Sequence, residues 1–192
     1  MKIFQIGFNR CGTNSIFQFF GSHCLDRLRC LHWEQGDLAL TMLLNMKEGR
    51  PPLKGKYEDF NVYTDMQALL QDGKGRAYMF LAHMEFETLD QHYPGSRFIL
   101  NTRNVDDWIE SRKKHWHHRR TREIMTEIYG IDFEGAWRNQ WKEHHQAVTK
   151  YFEGRNDLLV YDINKDRGGK IAEFLPELTF DGQEFPKANA SQ

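Results

Sequence analysis

The sequence predicts an α/β domain of three layers, with a central parallel sheet covered by helices on both faces. Short, nearly continuous apolar runs alternate along the chain with stretches of roughly 10–20 residues in which apolar side chains recur at helical spacing. Strands that are apolar throughout belong to a sheet buried on both faces, which is a parallel one. In addition, glycine, acidic and basic residues gather just beyond these runs, at 7–15, at His32 and Glu34, at Thr64-Asp65 and at Arg103. Right-handed crossovers bring the C-terminal ends of all strands to one edge, and ligands bind in the crevice there.

The run 3–6 reads as the first strand. It enters a turn with glycine at each end, Gly7 and Gly12, after which Ile16, Phe19 and Phe20 fall on one helix face. Strand, glycine loop and helix together let backbone N–H groups and a helix N-terminus converge on an anion, commonly a phosphate. Arg10, Thr13 and Ser15 add charge and hydroxyl donors. The Gly-Lys-Ser/Thr of a Walker A loop is missing. A purely structural strand–helix turn fits the same residues.

Residues 29–33 are the expected second strand. Asp37 caps a helix that places Leu40, Leu43 and Leu44 on one face, and Gly49 with Pro51-Pro52 stops it. Residues 60–64 are a third strand ending at Asp65. A helical region is expected over 78–93, closed by Pro94-Gly95. Residues 97–102 are the clearest internal strand, followed by Arg103 and a helix carrying Trp108, Ile109 and Arg112. The stretch 115–122, dense in His and Arg, suits a solvated face or a mobile loop. A long helix covers 134–152, with Trp137, Trp141, Val148 and Phe152 on one stripe and Gly154 at its C-cap. Residues 158–162 are the last strand, Ile171, Phe174 and Leu175 mark a closing helix, and 176–192 form an irregular tail. No repeat or linker interrupts this order, so the 192 residues are read as one domain, 1–192.

Composition narrows the function. A net charge of −1 supplies no field that would favour nucleic acid or an anionic membrane surface. Aromatic residues at 14% favour a packed core over disorder. Cys11, Cys24 and Cys30 are odd in number and lack zinc spacing, which favours reduced thiols in a cytoplasmic protein. No run reaches the ~18 apolar residues of a membrane span, and the first residues lack the roughly 7–15-residue apolar stretch of a signal peptide. His115, His117, His118 and the pair His144-His145 fit no standard zinc set, so no metal is expected.

Two motifs, in order, resemble those of one family. Arg10-Cys11-Gly12-Thr13-Asn14-Ser15 is similar to the 5′-phosphosulfate loop of the sulfotransferases, usually [Lys/Arg]-Ser-Gly-Thr-[Thr/Ser]. Residues 98–111 resemble the family's 3′-phosphate element: a strand, an arginine at its end (Arg103) and a serine eight residues later (Ser111). Tyr93-Pro94-Gly95, the run 158–162 followed by Phe174-Leu175, and Phe185-Pro186 with Asn189 agree with a bacterial-type branch. The resemblance spans roughly the whole chain. It departs from the pattern at Cys11 and Asn14, and the Arg-Lys-Gly segment that closes over the 3′-phosphate in cytosolic members is absent. Arg167-Gly168-Gly169-Lys170 lies in the right region but reads more simply as a helix start.

The resemblance implies a P-loop-like sulfotransferase fold and transfer of a sulfuryl group from 3′-phosphoadenosine-5′-phosphosulfate (PAPS) to a hydroxyl or amine. No metal is implied. Asn9, Arg10, Cys11, Gly12, Thr13, Asn14 and Ser15 would bind the 5′-phosphosulfate, and Arg103 with Ser111 the 3′-phosphate. Arg10 would also be catalytic, stabilising charge on the leaving oxygen as a fixed cation instead of a proton donor. Asp65 stands where cytosolic members carry the histidine of Thr-His, which makes it the first choice for general base. An N-cap for a helix over 66–70 suits it equally. His32 and Glu34 are the next choices. The acceptor, a small molecule or carbohydrate, would be held by residues 34–60 and 113–132. Two other readings stay open: a P-loop phosphotransferase, and a non-catalytic nucleotide-binding module.

Overall fold

The computed structural model describes residues 1–71, 74, 77–114, 132–182 and 184–186. In chain order the strands are β1 (Ile3–Gln5), β2 (Cys30–His32), β3 (Val62–Thr64), β4 (Gln67–Gln71), β5 (Ala77–Leu81), β6 (Arg97–Thr102) and β7 (Leu158–Asp162). The helices are α1 (Thr13–His23), α2 (Asp37–Lys47), α3 (Phe86–His92), α4 (Val105–Lys114), α5 (Phe133–Tyr151) and α6 (Gly168–Phe174). Two single 3-10 turns, Glu34–Gly36 and Ala82–Met84, sit between them.

Five strands form one parallel sheet in the order β2-β3-β1-β6-β7. Ile3 in β1 lies opposite both Val62 and Arg97, and Phe4 opposite both Tyr63 and Phe98. The first strand is therefore the centre of the sheet, and the loop after it opens at the middle of the C-terminal edge. Alternate residues of each strand feed opposite faces. Phe4, Tyr63, Phe98 and Leu100 pack with Leu38 and Met42 of α2, Phe86 and Leu89 of α3, and Val148 of α5. Ile3, Val62, Ile99, Leu159 and Tyr161 pack with Ile16, Phe19 and Phe20 of α1 and Ile171 of α6. Both faces are buried, so the apolar runs have a physical cause and the three-layer αβα fold stands as expected.

α5 also follows its sequence signals. Asp132 accepts the Gly135 N–H at 2.9 Å as N-cap, and Trp137, Val148 and Phe152 are buried. α6 begins at Gly168, so the Arg167–Lys170 segment is a helix start in this fold. Residues after α6 pack on the domain: Phe180 forms a bridge with Cys24 and stacks on Phe19 at 5.4 Å, and Phe185 lies 5.0 Å from Tyr161.

The expected helical region over 78–93 needs correction. Only Phe86–His92 is α-helical, after the 3-10 turn at Ala82–Met84; β4 and β5 pair antiparallel as a separate hairpin, with Ala68 opposite Phe80 and Leu70 opposite Tyr78. The helix expected over 66–70 behind an Asp65 cap is likewise replaced by a strand, β4. The period here is two: Ala68 is buried while Leu69 is exposed. Asp72-Gly73 in the sequence between the two runs is a hairpin signal that the helical reading passed over. No helix among the described residues is long and apolar enough to cross a membrane. Residues 115–122 lie outside the described residues.

Candidate active site

The loop from Gly7 to Gly12 is shaped from below by two polar side chains in otherwise apolar strands. Asn101, fully buried near the end of β6, accepts the Gly7 N–H at 2.9 Å and donates to the carbonyls of Cys11 at 2.8 Å and Phe8 at 3.3 Å. Gln5 in β1 donates to Gly7 O at 2.6 Å and to Asn101 Oδ1, and its Oε1 accepts the Asp65 N–H at 2.8 Å. A side chain at residue 7 is excluded, because a Cβ there would stand 2.0 Å from the Asn101 carbonyl oxygen. Arg10 (φ 62°) and Gly12 (φ 77°) take the left-handed turn that aims the chain into α1. These contacts hold three adjacent strand ends, β3, β1 and β6, in one fixed arrangement. Motif spacing did not reveal Gln5 or Asn101. The available signal was a polar residue inside a buried strand, which must find hydrogen-bond partners.

α1 starts at Thr13 with no acidic residue in its first turn, so its N-terminal N–H groups present uncompensated positive potential. Thr13 and Ser15 are buried at this end, and Asn14 is half-buried. Arg10 reaches across to the other motif: its Nε donates to Ser111 Oγ at 3.1 Å. Arg103 donates to the Arg10 carbonyl at 3.3 Å, and Trp108 Nε1 donates to Asn9 O at 2.9 Å. Asn9, Arg10, Arg103 and Ser111 are thus brought together from the two motifs. Burial and the nearby Arg103 cation lower the pKa of Arg10, while Asp65 opposes that shift. The guanidinium remains charged at neutral pH. Arg103 Nε is buried with no hydrogen-bond partner among the described residues.

Cys11 enters this arrangement only through its backbone. Its side chain is buried with Phe8, Trp108, Ile109 and Trp137, and burial pushes the thiol up to about 12. It is therefore protonated and chemically quiet.

Asp65 and His32 close the adjacent strand ends. Asp65 takes a left-handed conformation (φ 53°), and burial, opposed by Arg10, pushes its carboxyl up to about 6. His32 lies in register with Thr64, and its Nδ1 meets Thr64 Oγ1 at 2.9 Å. Thr64 commits its own proton to Leu31 O at 2.9 Å, so His32 Nδ1 donates and Nε2 is the acceptor. The ring stacks on Phe17 at 5.3 Å, and burial lowers its pKa. Arg10 influences Asp65; no charged group contributes to the shift of His32. Glu34 is exposed in the turn after β2, and the stretch from Trp33 to Gln35 is left-handed throughout.

The His144-His145 pair is structural. His144 Nε2 donates to Ile6 O at 2.6 Å, and its ring packs 5.0 Å from that of Phe8. His145 bonds to Trp141 O at 2.8 Å and to Thr102 Oγ1 at 2.9 Å, and burial lowers it to about 4. His115, His117 and His118 lie outside the described residues.

The family model described as sulfotransferase domain matches residues 2–133, more than half of the chain and including both motifs. No curated protein matches the sequence.

Proposed function

Since the chain belongs to the sulfotransferase domain family, we propose that it transfers a sulfuryl group from PAPS to a hydroxyl or amine of a small-molecule or carbohydrate acceptor, as one catalytic unit. The observation that carries this reading is the clamp: Arg10 of the first motif bonds Ser111 of the second, and Arg103 bonds the Arg10 backbone. Among the described residues neither arginine makes an ion pair with a carboxylate, and α1 has no acid in its first turn. A donor with a 5′-phosphosulfate and a 3′-phosphate supplies the negative charge that this arrangement lacks.

The transfer is an in-line displacement. The acceptor oxygen or nitrogen forms a bond to sulfur while the bond from sulfur to the 5′-phosphate oxygen breaks. The acceptor's proton goes to a protein base, and the bond's electron pair leaves with 3′,5′-adenosine bisphosphate. Arg10 and the loop N–H groups stabilise the charge that grows on the leaving oxygen. Asp65, with a carboxyl at about 6 beside the Arg10 field, is ionised at neutral pH yet basic enough to take the proton. His32 is the second choice, because its Nε2 is held as an acceptor.

Thermal-shift titration with 3′,5′-adenosine bisphosphate, 5′-AMP and ATP tests the donor. The bisphosphate should stabilise most. Arg103→Ala should weaken it by roughly 10–100-fold, the value of a charged hydrogen bond, and 5′-AMP far less. Equal weakening of both would remove Arg103 from the 3′ site. Preference for ATP, with magnesium-dependent turnover, would instead favour a phosphotransferase. Bisphosphate binding with no transfer to any acceptor would favour a binding module.

A further inference from the structure

Arg112 follows Ser111 on α4 but takes no part in the clamp. Its guanidinium carbon lies 4.9 Å from the ring centre of Trp108 and 4.3 Å from that of Trp137. Its Nε is buried with no hydrogen-bond partner, and no carboxylate pairs with it among the described residues. Burial lowers its pKa to about 10, so it is still a cation at neutral pH. Two further nitrogens nearby are buried and unpartnered, Nε2 of His83 and Nε1 of Trp141. Phe8 links all three: its ring is 5.2 Å from His83 and 5.0 Å from Trp108, and 6.4 Å from His145, on which Trp141 stacks at 3.6 Å.

Contact with aromatic rings offsets only part of the cost of burying a cation; an oxyanion offsets more. A guanidinium flanked by rings donates from its edge, which suits two-point binding of a carboxylate, phosphate or sulfate. The position of the cluster assigns that anion to the acceptor instead of the donor. Arg112 lies close enough to His83 for its charge to act on that ring. His83 also bonds to the backbone of Met66, next to Asp65, the proposed base. We propose that Arg112, with the unpartnered indole N–H of Trp141 as a second donor in the cluster, anchors an oxyanion on the acceptor, so that the substrate class is an anionic hydroxyl or amine compound. This rests on the sulfotransferase reading above.

The test uses inorganic sulfate as probe, with the intact protein held at saturating 3′,5′-adenosine bisphosphate and tryptophan fluorescence as readout, because Trp108 and Trp137 flank the guanidinium. Sodium chloride at matched ionic strength is the control. Wild type should show a saturable change. Arg112→Gln should weaken it about tenfold or more, and Arg10→Gln should leave it within about twofold. No saturable change in wild type, retention in Arg112→Gln, or loss confined to Arg10→Gln overturns the proposal. If Arg112→Gln does not fold, Arg112→Lys takes its place. It keeps the charge but not the fork, so several-fold weaker sulfate binding supports the anchor and wild-type affinity overturns it. Bisphosphate thermal shifts on the same samples report the donor site separately, so failure of one reading is not mistaken for failure of the other.

Discussion

Replacing Asn101 by alanine removes the side chain that holds the loop to the sheet. It takes away four hydrogen bonds at once: those from Gly7 N–H and Gln5 Nε2, and those to the carbonyls of Phe8 and Cys11. All four are buried, so water does not replace them freely. At about 1 kcal/mol each the loss is about 4 kcal/mol, a sizeable part of the stability of an ordinary domain. For a chain of this size that lowers Tm by roughly 8–16 °C. Calorimetry on wild type, Asn101→Ala, Gln5→Ala and the double variant measures it. The double variant should lose less than the sum of the singles, because Gln5 and Asn101 share a bond. The surviving folded fraction of Asn101→Ala should also bind 3′,5′-adenosine bisphosphate at least about tenfold more weakly, since the loop N–H groups lose their fixed direction. A Tm within about 2 °C of wild type, with additive effects and unchanged affinity, would refute the claim that Asn101 sets the loop.

Asp65 yields a prediction with two opposed signs. Its carboxyl is raised from 3.8 to about 6 by burial, so the folded state favours the protonated form. That stabilisation is complete below about pH 4 and is lost as pH rises through about 6. Asp65→Asn should therefore melt higher than wild type at pH 8, by up to about 3 kcal/mol in stability, with little difference at pH 4. Sulfuryl transfer, measured with labelled PAPS, should rise in wild type as pH passes about 6 and collapse in Asp65→Asn. An unchanged melting curve and pH–rate profile in that variant would move the search for the base to His32. For the cysteines, alkylation of the native protein followed by mass spectrometry should modify half-buried Cys24 and Cys30 and leave buried Cys11 untouched. Labelling of Cys11 at a comparable rate would contradict its closed packing.

Much of the frame was legible because its signals are local. Ile3-Phe4 and the spacing of Ile16, Phe19 and Phe20 mark a strand and a helix within 20 residues, and glycines at 7 and 12 mark the loop between them. Arg103 and Ser111 are two turns apart on one strand–helix unit, so their relation survives in the linear sequence. What failed depends on partners far along the chain. The bond between Gln5 and Asn101 spans 96 residues, and no spacing rule encodes it. The hairpin of β4 and β5 was missed because Ala, Leu, Met and Gln favour helices, and pairing with a neighbour overrode that preference. The helix-cap reading of Asp65 likewise failed on distant partners: strand β4 follows it, paired with β5, and the Gln5 side-chain oxygen accepts its N–H.

The bond from Gly7 N–H to the Asn101 side chain has a consequence for exchange with solvent. Amides in glycine loops ordinarily trade their protons quickly, through small local openings. This one is held by a fully buried group on the neighbouring strand β6, so its release requires opening a contact inside the core. In deuterated water its proton should persist as long as those of the central sheet, released only when the whole domain opens. The anion cradle would then behave as part of the slowest-exchanging layer of the protein, its form kept as long as the fold itself.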